Sequence, residues 1–427
     1  MNNKIENILG FAVIALVLIF GGAFLGTQML LFRLLAGMGF GYALTRGFMG
    51  FAGSVNRAYR TGSSKLMRVL MWMFAGTAAV SVAFLYGVDA TTYNLWVNPI
   101  NLGLILGGLF FGFGMTFSSC CASGVLTDLV TGLPRAIITL VFFAFGVFIG
   151  FPVQKTASWV TDSWFSTVTG EQLAGGVYLP DLFMWDGMSG YLGAVLLTAL
   201  FAAIVAWIAK IYEDRKKAEN KFVGVGTELD QDKVLEEAAA KKPFKLFSSD
   251  TYHMLFVRPW QMRTGAIVIG GIFLLLMGIT KAGWGASTIY GMWFGKVIML
   301  FGASSEALAS FTHMPASFFE MSIFAHPVSV QNIGIVIGTL VALLLAGSFK
   351  ATFTSELKIR PMQILFFAMG GLFMGFGTRL ANGCNVGALY TPIANFSLSG
   401  WIFLAALVGG GIIGNIVARM TVDNCVN

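Results

Sequence analysis

Apolar runs close to twenty residues long recur along the chain, separated by shorter polar stretches. A helix rises 1.5 Å per residue, so roughly 20 apolar residues cross the hydrocarbon core of a bilayer. The pattern predicts ten such helices, over residues 8–26, 29–44, 66–86, 101–117, 135–151, 188–209, 264–280, 329–347, 361–378 and 399–418. The expected fold is an all-α polytopic membrane protein. One stretch, 210–263, breaks the pattern with Glu213-Asp214-Arg215-Lys216-Lys217 and later Glu236-Glu237-Ala238-Ala239-Ala240-Lys241-Lys242. It is too short to bury a core of its own. It reads as a cytoplasmic, charged, partly helical linker between an N-terminal membrane half, 1–209, and a C-terminal one, 264–427.

The basic residues orient these helices, because Lys and Arg collect in cytoplasmic loops. Arg46, Arg57, Arg60, Lys65 and Arg68 fall in 45–68, eleven basic residues fall in 210–263, and Lys350, Lys358 and Arg360 fall in 348–360. The 87–100 connection has none, and 152–187 has only Lys155 against four acidic residues. Both termini then lie in the cytoplasm, as in a multi-pass protein of the bacterial inner membrane. Arg33 and Lys281 fall on the outer side against the rule.

Composition narrows the classes further. Of 427 residues, 56% are hydrophobic and 11% charged, where a soluble protein carries about 25% charged residues. A soluble enzyme, a disordered chain and a nucleic-acid-binding module are excluded, and the net charge of +7 belongs to loops beside lipid. No Ala-x-Ala-like cleavage site follows the apolar stretch Ile8 to Phe24, so no removable signal peptide is expected. Four cysteines without a Cys-x-x-Cys, and three scattered histidines, His253, His313 and His326, suggest neither a disulfide framework nor a metal site. No cofactor is expected.

A repeat carries the candidate chemistry. Residues 107–127, GGLFFGFGMTFSSCCASGVLT, and 370–390, GGLFMGFGTRLANGCNVGALY, agree at ten of 21 positions under a shift of 263, and one of the ten pairs Cys121 with Cys384. Gly146 and Gly150 match Gly410 and Gly414 at a shift of 264. The helix ahead of the first signature enters from outside and that ahead of the second from the cytoplasm, so the copies are inverted. Helices two to five then map onto seven to ten, with one and six as extras. Inverted repeats place a solute site near the midplane, often on broken helices. Gly108-x-x-x-Gly112 and Gly371-x-x-x-Gly375 are helix-packing spacings.

Small polar segments follow each signature helix: Ser118-Ser119-Cys120-Cys121-Ala122-Ser123-Gly124 and Ala381-Asn382-Gly383-Cys384-Asn385-Val386-Gly387. Non-helical backbone at membrane depth survives only inside protein or along a watery cavity, so two re-entrant turns are expected, each presenting a cysteine. A thiol is a weak donor on a soft, polarisable atom, suited to a sulfur- or selenium-bearing solute. Cys121 and Cys384 are the main pathway candidates, with Cys120 beside them opposite Gly383. Ser118, Ser119, Ser123, Asn382 and Asn385 would replace hydration, although the asparagines also suit a helix cap. Arg379, an intramembrane charge, either draws an anion or pairs with a carbonyl. Asp128 reads as an interfacial or helix-end residue, and Pro134 and Pro392 as helix punctuation.

These signatures, Gly112-Phe113-Gly114 through Cys121-x-x-Gly124 and Gly375-Phe376-Gly377 through Gly383-Cys384, resemble those of the YeeE/YedE sulfur-transport family. The likeness covers nearly the whole membrane part. Gly383-Cys384-Asn385 with Asn395-Phe396-Ser397-Leu398 is most similar to the selenium-associated YedE branch. The resemblance implies an hourglass-like inner-membrane protein that takes up thiosulfate or a related sulfur or selenium anion through cysteine contacts. A cytoplasmic sulfur- or selenium-handling protein is then a candidate partner. The family's further cysteine, in Arg-x-Arg-Phe-Cys-Phe-x-Gly, falls here on Gly50. Two other classes stay open: a membrane thiol oxidoreductase cycling Cys120-Cys121, and a scaffold subunit acting through 210–263.

Overall fold

A computed structural model describes residues 3–239 and 248–426. The part of the linker at 240–247, including Lys241 and Lys242, lies outside them. Fourteen helices carry the architecture. They are α1 (Asn3–Phe24), α2 (Gln28–Gly47), α3 (Gly53–Thr61), α4 (Lys65–Leu85), α5 (Leu102–Ser118), α6 (Gly124–Thr131) and α7 (Leu133–Thr156). After them come α8 (Tyr191–Ala218), α9 (Gly226–Ala239), α10 (Met262–Thr280), α11 (Thr288–Leu300), α12 (Pro327–Ala346), α13 (Pro361–Leu380) and α14 (Ser399–Val426). Shorter helical turns join them, and the described residues hold no strand beyond isolated bridges such as Asn94 with Ala282. The protein is an all-α polytopic membrane protein.

Each of the ten apolar runs forms a helix. Eight stretches among the described residues are long and apolar enough to cross a membrane. Neither α2 nor the 17-residue α5 is among the eight. Local chemistry sets the ends. Asn101 accepts the Leu104 N–H at 2.9 Å and caps α5, and Pro134 and Pro361 sit in the first turns of α7 and α13, where a missing N–H costs nothing. Sequence reading left 281–328 without a helix, yet α11 lies there, with Ser305–Thr312 and Ala316–Glu320 after it. At 13 residues α11 is shorter than a spanning helix, so its apolar run is too short to mark a span.

Packing is built on the repeat. Helix α5 lies against α13 and α14, and α13 against α5 and α7. Each signature helix therefore binds the last helix of the other repeat copy. Contacts recur under the sequence shift. The Phe110 and Phe373 rings, 263 positions apart, meet at 5.7 Å. They are flanked by Phe113 with Phe373 at 5.1 Å and by Phe110 with Phe376 at 6.4 Å. A Cβ at Gly107 would stand 2.6 Å from the Gly377 carbonyl oxygen, and one at Gly370 would stand 2.8 Å from that of Gly114. Residue 107 beside 377, with 114 beside 370, makes α5 and α13 antiparallel. Gly112 abuts the Leu407 carbonyl and Gly375 the Phe143 carbonyl, both too close for any side chain. In lipid there is little hydrophobic drive between helices, so close van der Waals approach at small residues holds them. Outside this nucleus, α2 packs on α12, and α4 lies between α8 and α10.

The first part of the linker is fastened to the body. Glu228 accepts the Ser63 hydroxyl at 2.5 Å and pairs with Arg57 at 3.7 Å. Gln231 donates to the Gly47 carbonyl at 3.2 Å, and Lys65 meets Asp232 at 2.6 Å. The Lys65 pair is exposed and contributes little, but Glu228 is buried, and its loss would leave buried donors unmatched at about 1–3 kcal/mol. Glu228→Ala is expected to release α9. Trypsin cleavage after Lys233 should speed up by roughly tenfold or more, at about 1.4 kcal/mol per tenfold, and an unchanged rate would show that the contacts do not hold the segment.

Candidate functional site

The turn after α5 and the turn after α13 share a backbone solution. Ser119 ends α5 with φ 58°, and Asn382, 263 residues on, has φ 56°. A left-handed residue at a helix end frees the chain to reverse. The first turn leads into α6, which packs on α12, and the second leads through a wide turn at Asn385–Tyr390 to Thr391–Ala394, which packs on α4. Pro392 opens that last short helix.

The two turns bring cysteines to one buried place. Cys120, Cys121 and Cys384 are free thiols and are all buried. Cys121 and Cys384 lie within electrostatic reach of each other, and both, with Cys120, lie within reach of the Tyr290 hydroxyl. Tyr290, from α11, donates to the Ala122 carbonyl at 2.5 Å and so pins the first turn. The Cys121 sulfur sits 3.4 Å from the Ser123 hydroxyl. Asn385, 1% exposed, reaches the Met115 sulfur at 3.1 Å, while its side-chain oxygen has no hydrogen-bond partner among the described residues.

Arg379 places a buried cation beside the second turn. It is 2% exposed, and no carboxylate lies within salt-bridge distance of it among the described residues. Its guanidinium donates instead to neutral oxygens: Ser287 at 2.9 Å, Thr288 at 3.1 Å, Thr378 at 3.2 Å and Gln154 at 3.4 Å. It also lies over the Phe151 ring at 5.5 Å. Ser287 also lies within electrostatic reach of the Cys384 thiol, so the residue that accepts from the cation stands beside the cysteine. Gly150 leaves the space that the Arg379 stem fills, as Gly414 does for Thr116, the residue 263 positions before Arg379. Burying a charge without an opposite charge is costly, and packing alone gives no reason for it.

Beyond Arg379 a cavity of about 320 Å³ opens, lined by Gln154, Lys155, Asn98 and Asn382. Gln154 donates to the Asn382 oxygen at 2.6 Å. At the other end, past Met115, Arg60 donates to Asn415 at 3.0 Å and to the Thr116 carbonyl at 3.3 Å, and Asn415 donates to Asn56 at 3.0 Å.

The remaining candidates separate. Ser118 is buried with its hydroxyl turned onto its own chain, at 3.0 Å from the Gly114 carbonyl and 3.2 Å from that of Cys120. Ser119 is exposed, and Ser123 stays beside Cys121. Asp128 pairs with Arg135 at 3.2 Å, which in turn meets Glu356 at 3.0 Å. Sequence reasoning missed Tyr290, Ser287, Thr288 and Gln154. A polar Ser-Thr pair opening a short apolar run was the available signal for two of them. At Gly50, where the family's further cysteine would fall, a Cβ would meet nothing within 4 Å.

Comparison with known proteins places the chain in a family. The chain is 31% identical over 169 residues to the "Probable transporter YedE" of Escherichia coli, a match that spans 40% of each chain. It is 24% identical over 382 residues to the "Thiosulfate transporter TsuA" of Spirochaeta thermophila, covering 86% of this chain and 93% of that one. A protein of the same name from Escherichia coli is 24% identical over 386 residues, covering 90% and 93%. Residues 46–413 match the family model described as sulphur transport. With that match across most of its length, the chain belongs to the sulphur transport family of membrane transporters.

Proposed function

We propose that this chain carries a small sulfur- or selenium-containing anion inward across a bacterial inner membrane, with both termini in the cytoplasm, and that thiosulfate is the first solute to test. The observation that carries the reading is Arg379, a buried cation with only neutral partners, standing between the 320 Å³ cavity and Cys384. Such a site is electrostatically incomplete without an anion. The names of the two full-length relatives support sulfur as the element carried, and the paired thiols fit its softness.

In this reading the two halves are inverted copies, the segments after α5 and α13 are re-entrant, and the passage narrows where they meet. The solute collects in the outer cavity beside Lys155 and Asn382 and loses part of its water. It then takes charge-assisted hydrogen bonds from Arg379, which are about twice as strong as neutral ones. The Cys384 and Cys121 thiols donate next to its sulfur end, with Ser123 and Asn385 replacing lost hydration. The Asn56, Asn415 and Arg60 cluster receives it on the inner side. No chemical step is involved, and Cys120-Cys121 need not cycle. An inward-negative potential opposes a divalent anion by roughly 4–5 kcal/mol per 100 mV, at about 2.3 per charge. Net entry therefore relies on consumption of the solute in the cytoplasm, a role for a sulfur- or selenium-handling partner.

Uptake of labelled thiosulfate into proteoliposomes tests the thiols. Cys121→Ala and Cys384→Ala are each expected to slow uptake roughly fivefold or more, at about 1 kcal/mol per hydrogen bond lost. Equal uptake by wild type and both variants ends the thiol mechanism.

A further inference from the structure

We propose that the groove between α4 and α10 is a specific seat for one anionic phospholipid. Its headgroup phosphate would rest on Arg68, Arg263 and Lys65, and one acyl chain would lie between the helices. The groove encloses about 1130 Å³ and runs from these cations down to Thr77, Gly270 and Leu274. Its walls fit a chain. Trp72 and Ile267 flank it at 77% and 75% exposed, and a Cβ at Gly76 or Gly271 would meet nothing within 4 Å. Thr77 closes the floor through its hydroxyl contact with Tyr390 at 3.0 Å.

Any groove on a membrane protein faces lipid. Charge is what distinguishes this one. Three cations line it against one carboxylate, Asp232, which is engaged by Lys65 at 2.6 Å. Arg68, partly exposed, gives one nitrogen to Glu213 at 3.1 Å. Arg263 is exposed and forms no ion pair among the described residues. With Lys65 and Arg68 each facing a carboxylate, Arg263 leaves the lining one positive charge in excess among the described residues. Basic pockets at the ends of membrane helices bind phosphate headgroups in this way, and a guanidinium grips phosphate through two parallel N–H bonds. The leaflet is the cytoplasmic one if the proposed orientation holds. The groove and its cations do not depend on what the passage carries.

Native mass spectrometry of the full chain, titrated with palmitoyl-oleoyl phosphatidylglycerol or phosphatidylcholine, tests the seat. One tight site is expected to prefer phosphatidylglycerol by about fivefold, the scale that one uncompensated surface charge provides. Arg263→Gln, at an unpaired exposed residue that should leave thermal stability unchanged, is expected to cut that preference by about fivefold. Gly271→Leu fills the groove and should remove the tight site for both lipids. Equal binding of the two lipids, or full preference in Arg263→Gln, overturns the proposal. So does displacement by inorganic phosphate at the same concentration, which would mark a free-anion site. A concentration-dependent dimer that masks the groove from lipid would equally overturn it.

Discussion

Arg379→Gln is expected to reduce thiosulfate uptake by one to two orders of magnitude while raising thermal stability. The two effects point in opposite directions, and that makes the prediction discriminating. Glutamine keeps hydrogen-bonding capacity toward Ser287 and Thr288 but carries no charge. Charge-assisted hydrogen bonds are worth about 1.5–3 kcal/mol, and each 1.4 kcal/mol is tenfold, so uptake should fall about 10-fold to 100-fold. The folded protein, meanwhile, no longer bears a buried guanidinium that lacks a carboxylate within 4 Å among the described residues. Removing a buried charge that faces no counter-charge relieves its desolvation penalty, on the order of several kcal/mol per ion. A residue kept for structure would show the reverse: uptake retained, and a lower melting temperature. Arg379→Lys should recover only part of the rate, because an ammonium cannot reproduce the planar fork. Wild-type uptake by a well-folded Arg379→Gln protein would remove the anion site from the mechanism.

The second large effect concerns folding. Gly112→Val and Gly375→Val are each expected to abolish accumulation of folded protein, and the milder Gly112→Ala and Gly375→Ala to lower the melting temperature measurably. At both positions a Cβ would overlap a backbone carbonyl, of Leu407 in one case and of Phe143 in the other. A flexible side chain could swing aside, but a carbonyl inside a helix cannot, so whole helices must separate. Overpacking a tight interior typically costs about 1–3 kcal/mol, occasionally more, and here it also strips the contacts that bind membrane helices. The paired positions should respond alike despite lying 263 residues apart. Gly76→Ala, where a Cβ meets nothing within 4 Å, is the control expected to be neutral. Size-exclusion profiles after heating read all five proteins. A folded, stable Gly375→Val protein would contradict the packing described.

Much of this architecture is visible in residue order, for identifiable reasons. Spanning helices announce themselves by length and hydropathy, so all ten apolar runs form helices, although those expected at 188–209 and 399–418 run on to Ala218 and Val426. The glycines of the two signatures fall at the helix contacts, because only backbone-to-backbone approach requires them. Cys121 and Cys384 could be singled out because both copies repeat them in polar turns. What escaped detection depends on contacts between distant segments. Tyr290 matters through the Ala122 carbonyl, 168 positions away, and Gln154 through Arg379, 225 away. No local periodicity encodes such partners. Ser118 carries the composition of a site residue, and its hydroxyl meets the Gly114 and Cys120 carbonyls and the Met374 sulfur, partners fixed by side-chain rotation and not by spacing. The linker seemed free because it is charged, but Glu228 finds its counter-charge in Arg57, which lies beyond any window that reads composition.

The exchange of partners between the halves restricts how this machine can move. With α5 clasped to α14 and α13 to α7, each half holds a limb of the other, and the Phe110–Phe373 stack acts as the rivet through both. Rocking one half against the other would have to tear glycine seams on both sides at once. In the proposed passage, opening would then fall to the turns at Ser119 and Asn382 and the side chains beyond them, a soft throat within a stiff frame.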